Sequence, residues 1–270
     1  MITPYLFKYV VHSSRLRRAY YNTIKNKDIF VRTKMDMSGL RVTLNIGDFV
    51  QFWMFMEGYE QELCRFMSEK INGGIFLDIG ANVGAYTLSL CRKASRIYAF
   101  EASKNTCEIL QSSLDLNSID NVTVVNRAAY NESGRIMRLN LSPETLGSNS
   151  VFQNGGDQWE EVQTITIDQY VLENGIENIT AMKVDVEGAD FLAMMGASET
   201  IKKNRPVLLC EFFCGWAERA GFNLESYFDY LMGFGYDAFT LKKGKLERFS
   251  RARLSESGFN ENMIFRMNDH

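Results

Sequence analysis

A chain of 270 residues with 46% hydrophobic and 23% charged residues can bury a full core and has the make-up of an ordinary globular protein. Its net charge of −3 argues against a general nucleic-acid binder. No apolar run is long enough to span a bilayer and no signal peptide is evident, so the expected compartment is the cytoplasm. The cysteines are Cys64, Cys91, Cys107, Cys210 and Cys214, an odd number placed mostly inside apolar runs. They read as small buried hydrophobes in a reducing compartment, with neither a disulfide frame nor a zinc set.

In chain order, residues 1–34 interleave Tyr5, Phe7, Tyr9, Tyr20 and Tyr21 with Lys8, Arg15, Arg17 and Arg18. A helix packing its rings on the domain and leaving its charges wet would look like this. So would an amphipathic helix on an anionic membrane, which keeps a peripheral membrane contact open. Residues 40–46 alternate like a strand and Gly47 with Asp48 reads as a turn. A strongly apolar stretch covers 49–56, and a helix opens at Gly58 and runs to Lys70, placed to cross the mouth of any site on the strand that follows.

The rest is organised around residues 75–84. Ile75, Phe76 and Leu77 read as a buried strand, Gly80 and Gly84 force a tight turn, and Leu88 with its neighbours falls at helical spacing. Glycine is expected here because only a residue without a β-carbon lets backbone approach a ligand closely. The helix start offers unpaired amides and a positive dipole end. Glu101 ends the next apolar run about 20 residues on, where an acid in a βαβ unit accepts hydrogen bonds from ribose hydroxyls. The spacing Asp78-x-Gly80-x-Asn82-x-Gly84 departs from the dinucleotide fingerprint. Asp78 would repel a pyrophosphate and attract an ammonium. A cofactor with an adenosine at one end and an amino acid at the other fits, and S-adenosyl-L-methionine is such a compound.

Beyond Glu101, a helix is expected over 105–117, a third strand over 122–129, an added β segment over 134–141 and a polar loop over 146–160 that would lie on the site. Residues 162–167 are extended and Asp168 is expected to cap the next helix. A fourth strand begins at Ala181 and exits through Asp185 and Glu187 into a helix reaching Lys203; the fifth runs over 205–213. A helix at 224–232 and strands at 236–241, 245–249 and 262–266 close the chain. Such alternation predicts an α/β, Rossmann-like doubly wound sheet, with ligands at the carboxyl ends of its strands. Residues 1–70 read as an N-terminal cap and 71–270 as the catalytic domain.

If strands one, four and five are neighbours, Asp78, Asn82, Asp185, Glu187 and Glu211 line one crevice, with Lys183 on the Asp185 face of its strand. Such acids also occur as structural partners of loop amides, of Lys183 or of Arg205. Methyl transfer from a sulfonium demands in-line approach, exclusion of water and a deprotonated nucleophile. A hydroxyl acceptor, with a pKa near the ~15.7 of water, needs a base. His12 and His270 lie at the chain ends, which leaves Asp185, Glu187, Glu211 or Lys183. The three acids would also suit a divalent cation such as Mg²⁺, but nothing in the spacing demands one and no metal ligand is assigned.

The segments FLDIGANVGAYTL, YAFEAS, ITIDQY, MKVDVEGAD and RPVLLCEF, preceded by GYEQEL, resemble the FkbM-type methyltransferases, a branch of the class I S-adenosylmethionine-dependent enzymes. The resemblance spans about residues 57–213. It implies a seven-stranded, mostly parallel sheet with a reversed last strand, and O-methylation of a hydroxyl on a sugar, glycan or natural-product acceptor. It further implies that Asp78, Gly80, Ala81, Asn82 and Gly84 form the cofactor loop and that Glu101, with Ala102, holds the ribose. Glu60 and Asp185 would approach the methionine end, and Asn126 the adenine. Two other readings compete: a nicotinamide-dependent oxidoreductase on the same sheet, and a non-catalytic module.

Overall fold

Strands buried on both faces have no polar side to show, and the near-continuous apolar runs of this chain settle into one central sheet for that reason. The computed structural model describes residues 4–10, 13–142, 145–152 and 157–267. The chain begins with α1 (Pro4–Val10), α2 (Ser14–Ile24), the hairpin β1 (Phe30–Lys34) and β2 (Arg41–Asn45), then α3 (Phe49–Met56) and α4 (Gln61–Ile71). It continues with β3 (Ile75–Ile79), α5 (Ala85–Leu90), β4 (Arg96–Glu101), α6 (Lys104–Leu116) and β5 (Val122–Asn126). Next come β6 (Ala128–Ala129), β7 (Ile136–Asn140), β8 (Trp159–Ile165), α7 (Ile167–Glu173), β9 (Ile179–Val184), α8 (Asp190–Met195) and α9 (Ser198–Asn204). The chain ends through β10 (Val207–Phe213), α10 (Cys214–Ala220), α11 (Leu224–Met232), β11 (Asp237–Lys242), β12 (Lys245–Arg248) and β13 (Asn260–Arg266).

The central sheet has the order β12-β11-β13-β10-β9-β3-β4-β5. Strands β5, β4, β3, β9 and β10 pair in parallel, and the last strand, β13, inserts antiparallel between β10 and β11. These seven are the Rossmann-like sheet with its reversed final strand, and β12 adds an eighth at the edge by a hairpin from β11. The chain leaves β3 toward β4 and β5 and later returns to β3's other side as β9. That reversal opens a crevice at the carboxyl ends of β3 and β9.

The expected third strand, 122–129, is two strands in two sheets. The amide of Arg127 turns back on the carbonyl of Val125 at 2.9 Å, which redirects the chain. Ala128 and Ala129 then pair with β8 in a small sheet of order β6-β8-β7. The helix expected to run to Lys203 is likewise two, α8 and α9. Asp168 does not cap the helix it opens. Thr166 does, accepting from the amide of Gln169, while Asp168 accepts from the amides of Glu199 (3.0 Å) and Thr200 (2.7 Å) and so caps α9. A Thr two residues upstream holds the better capping register, which frees the carboxylate for a neighbouring helix.

Apolar side chains fill both faces of the sheet. On one face Tyr21, Phe52, Phe55 and Met67 from the first 70 residues share a core with Phe76 and Leu88; on the other, Leu77 and Ile79 meet Met182, Phe212 and Leu231. Phe7 stacks on Tyr20 at 4.2 Å, Tyr21 meets Phe49 and Phe52, and Arg15 and Arg18 stay exposed. Among the described residues no helix is long and apolar enough to cross a membrane.

Candidate active site

The turn after β3 is shaped by a meeting of two backbones. Gly80 has φ +80°, and its amide and that of Ala81 both donate to the carbonyl of Phe100 at 2.9 Å. A β-carbon on Gly80 would lie 1.8 Å from the carbonyl oxygen of Asp185. Glycine is therefore required by the exit loop of β9, and Gly80 also lines the cleft. Gly84 (φ +91°) instead lets α6 close in, since a β-carbon there would fall 2.4 Å from Leu110 Cδ1.

Glu101 ends β4 beside this turn. One carboxylate oxygen accepts from the amide of Asn82 at 2.8 Å and the other from that of Ser103 at 2.9 Å. Burial pushes its pKa up to about 6, and those two amides pull against the rise. Each oxygen keeps a lone pair for a donor in the cleft. Asn126 turns its amide to the carbonyls of Glu101 and Ala102, at 3.1 and 2.7 Å, and does not line the cleft; its neighbour Arg127 does.

Asp78 is fully buried and does not line the cleft either. Its Oδ2 accepts from Thr87 at 2.6 Å, and its Oδ1 has no hydrogen bond but lies 3.9 Å from Lys183 Nζ. Lys183 also donates to the carbonyl of Gly80 at 3.0 Å and pairs with Asp185 at 3.1 Å. Burial works against its charge, but Asp185 and Asp78 outweigh burial and hold the ammonium above its ordinary pKa. It is a locked cation, unsuited to being a base. Glu60, in a left-handed conformation (φ 47°), spends its carboxylate on Tyr86 (2.6 Å) and Asn262 (2.7 Å) and stands behind the cleft. Tyr59 and Tyr86 face the cleft in its place.

Asp185, Glu187 and Glu211 gather where β9 and β10 end. Each offers an oxygen within 4.8 Å of the others, a spacing that would hold a divalent cation or a shared proton. Burial, then Asp185 and Asp190, push Glu187 up to about 9. Burial, then Asp185 and Glu187, push Glu211 well above the carboxylate range. Asp190 shares the repulsion, pushed up to about 6 by burial and Asp185, but the amides of Val186 and Gly188, from which it accepts at 3.0 Å each, pull against the rise. The Tyr59 hydroxyl faces the same cluster: burial, then Glu60, Asp185, Glu211 and Glu187, raise its pKa.

These groups border one cleft. Gly80, Ala81, Asn82, Glu101, Ala102, Lys183, Asp185 and Glu187 line it; Asp78, Glu60, Gly84, Asn126 and Glu211 stand one layer back. Ala128, Ala129 and Leu139 make an apolar wall, with Val151 packed against it, and Leu146, Gly147 and Asn149 also line the cleft. Sequence reasoning placed a loop over the site and named Leu146 and Gly147 in it, but not Asn149 or Val151, and it missed Tyr59, Tyr86 and Arg127. Tyr59 and Arg127 adjoin residues it did single out. Gly155, Gly156, His12 and His270 lie outside the described residues.

A family model described as the Methyltransferase FkbM domain matches residues 78–238. The hexuronic acid methyltransferase AglP of Haloferax volcanii is 21% identical over 169 residues, 62% of this chain and 69% of that protein. Among solved structures, a Methyltransferase FkbM from Methylobacillus flagellatus matches at 17% identity and a TM-score of 0.49, over 80% of this chain and 52% of that one. Trm5b from Pyrococcus abyssi matches at 16% identity and a TM-score of 0.46, over 87% of this chain and 55% of that one. The chain thus spans about half the length of either solved chain.

Proposed function

This chain belongs to the FkbM methyltransferase domain family, and from that membership we propose that it is an S-adenosylmethionine-dependent O-methyltransferase acting on a hydroxyl of a sugar, glycan or natural-product acceptor. One observation carries the reading: a single cleft is lined by Glu101, with two free lone pairs, and by Asp185, paired with a locked lysine, next to Glu187. A ligand with a ribose diol at one end and cationic groups at the other complements both. A pyrophosphate along residues 80–82 would instead lie against Asp185. The residues fit the cofactor, which when bound would supply a methyl carbon activated by a sulfonium sulfur.

The protein's share is positioning, exclusion of water and removal of a proton. Glu101 would grip the ribose, and Ala128, Ala129 and Leu139 would flank the base. Asp185, fixed by Lys183, would face the amino-acid end. Glu187, which lines the cleft and has no lysine of its own, would accept the proton of the acceptor hydroxyl, with Glu211 behind it. The name of the Haloferax volcanii relative supports a sugar as acceptor. Calorimetry should give heat with S-adenosylhomocysteine and none with NADH; the reverse result sinks the reading. Incubation with isotopically labelled methyl donor and a panel of sugars, followed by mass spectrometry, identifies the acceptor.

A further inference from the structure

On the α3 side, the loop that closes the cleft is held by a carboxylate outside the region of family similarity. Asp48 is only 7% exposed, and its Oδ1 caps α3 by accepting from the amide of Gln51 at 3.0 Å. Its Oδ2 accepts from the hydroxyl of Thr145 and the amide of Leu146, each at 2.9 Å. Thr145 Oγ1 accepts in turn from the amide of Gly147 at 3.2 Å, so three consecutive loop residues are fixed against α3.

Those residues sit on the cofactor turn. Leu146 and Gly147 line the cleft, and a β-carbon on Gly147 would lie 3.2 Å from Asn82 Nδ2. The amide of Asn82 is one of the two donors to Glu101. Further along, Ser150 donates to the carbonyl of Glu187 at 2.6 Å. The loop therefore touches the ribose end and the acid cluster, and Asp48 supplies its anchor on the α3 side. Capping α3 needs only one oxygen, which a serine provides equally well. The second oxygen, with two loop donors on a buried charge, has no use in the helix.

We propose that Asp48 is a positioning residue for the cofactor: it holds residues 145–147 against Asn82 and so keeps the ribose end of the cleft closed. This rests on the cofactor reading above. The test uses Asp48→Ser, which keeps a cap for α3 but is too short to reach the loop, and Thr145→Val, which removes one loop donor. In Asp48→Ser the dissociation constant of S-adenosylhomocysteine should rise about tenfold, the worth of one charge-assisted hydrogen bond. Amide exchange at 145–148 should speed up while exchange in α3 stays at the wild-type rate. Thr145→Val should weaken binding less, and add nothing to Asp48→Ser. Wild-type affinity in Asp48→Ser, exchange rising equally in α3, or additive losses in the double variant would each overturn the proposal. If the wild-type chain binds no S-adenosylhomocysteine, the cofactor reading fails, and the exchange pattern alone then decides whether Asp48 tethers the loop.

Discussion

Two pairs of strand tips carry acids in this fold, and they are built on opposite plans. At β3 and β4, Asp78 has Thr87 and a nearby lysine, and Glu101 has two backbone amides. At β9 and β10, Asp185 takes the only lysine in reach among the described residues, and Glu187 and Glu211 face it and each other. In the first pair Glu101 is satisfied by its two amides, while Asp78 Oδ1 has no hydrogen bond and relies on the lysine beside it. The second stores electrostatic repulsion, which burial magnifies and which a proton or a cationic ligand relieves. The contrast separates a surface built to hold from a surface built to take protons.

The largest effect is expected where the two halves join. Gly80→Ala would drive a β-carbon into the Asp185 carbonyl at a backbone angle that side chains rarely adopt. A destabilisation of more than about 4 kcal/mol is expected, read as loss of soluble protein or of the urea transition. A variant that unfolds like wild type would mean that the seam yields and the two ends are not rigidly coupled. Lys183→Met comes next, because it leaves the buried Asp78 and the half-buried Asp185 without a cation. Breaking a buried pair from one side costs about 3–5 kcal/mol, and urea unfolding at neutral pH measures it.

Glu211→Gln should move stability the other way. Glu187 and Glu211 both have folded pKa values above their unfolded ones, Glu187 at about 9. The folded chain therefore binds more protons than the unfolded chain from the ordinary carboxylate range upward. The contribution is present in full below that range and is lost as pH rises through about 9 for Glu187. Wild-type urea midpoints should fall between pH 5 and pH 9. Glu211→Gln should flatten that slope and add about 1–3 kcal/mol at the alkaline end, the cost of leaving a buried group unsatisfied. An unchanged slope would mean that the two acids already have partners.

The half at β3 and β4 was the easier one to read from sequence. The turn at 80–84 and the acid at Glu101 are local signals, each within one βαβ unit, so the strand order and the place of Glu101 beside the turn were legible. What could not be read was long-range. Gly80 serves a carbonyl 105 positions away, Glu60 is turned aside by Tyr86 and Asn262, and Asp48 meets Thr145 across the fold. None of these leaves a periodicity or a spacing. The break at Arg127 was hidden because both halves of 122–129 are apolar and extended, and only the partner strand tells them apart.

The smallest expected effect distinguishes the two pairs of tips in one titration. Glu101 must be ionised to accept two hydroxyl protons, so affinity for any adenosine ligand should fall as pH drops below about 6, by about tenfold per unit at most. The acid cluster adds a second dependence, but only for a ligand that carries positive charge near it. Glu187 must lose its proton before it can stabilise a sulfonium, and that loss becomes easier as pH rises toward about 9. Affinity for S-adenosylmethionine should therefore keep climbing above neutrality, whereas affinity for S-adenosylhomocysteine, whose sulfur is uncharged, should level off near pH 7. Glu187→Gln should make the two curves parallel, and Glu101→Gln should remove the acidic limb from both. Calorimetry in two buffers of different ionisation heat gives the same answer independently, because wild type should release a fraction of a proton on binding the sulfonium ligand. Identical curves for the two ligands in wild type would place the cationic sulfur away from β9 and β10, and the proton acceptor with it.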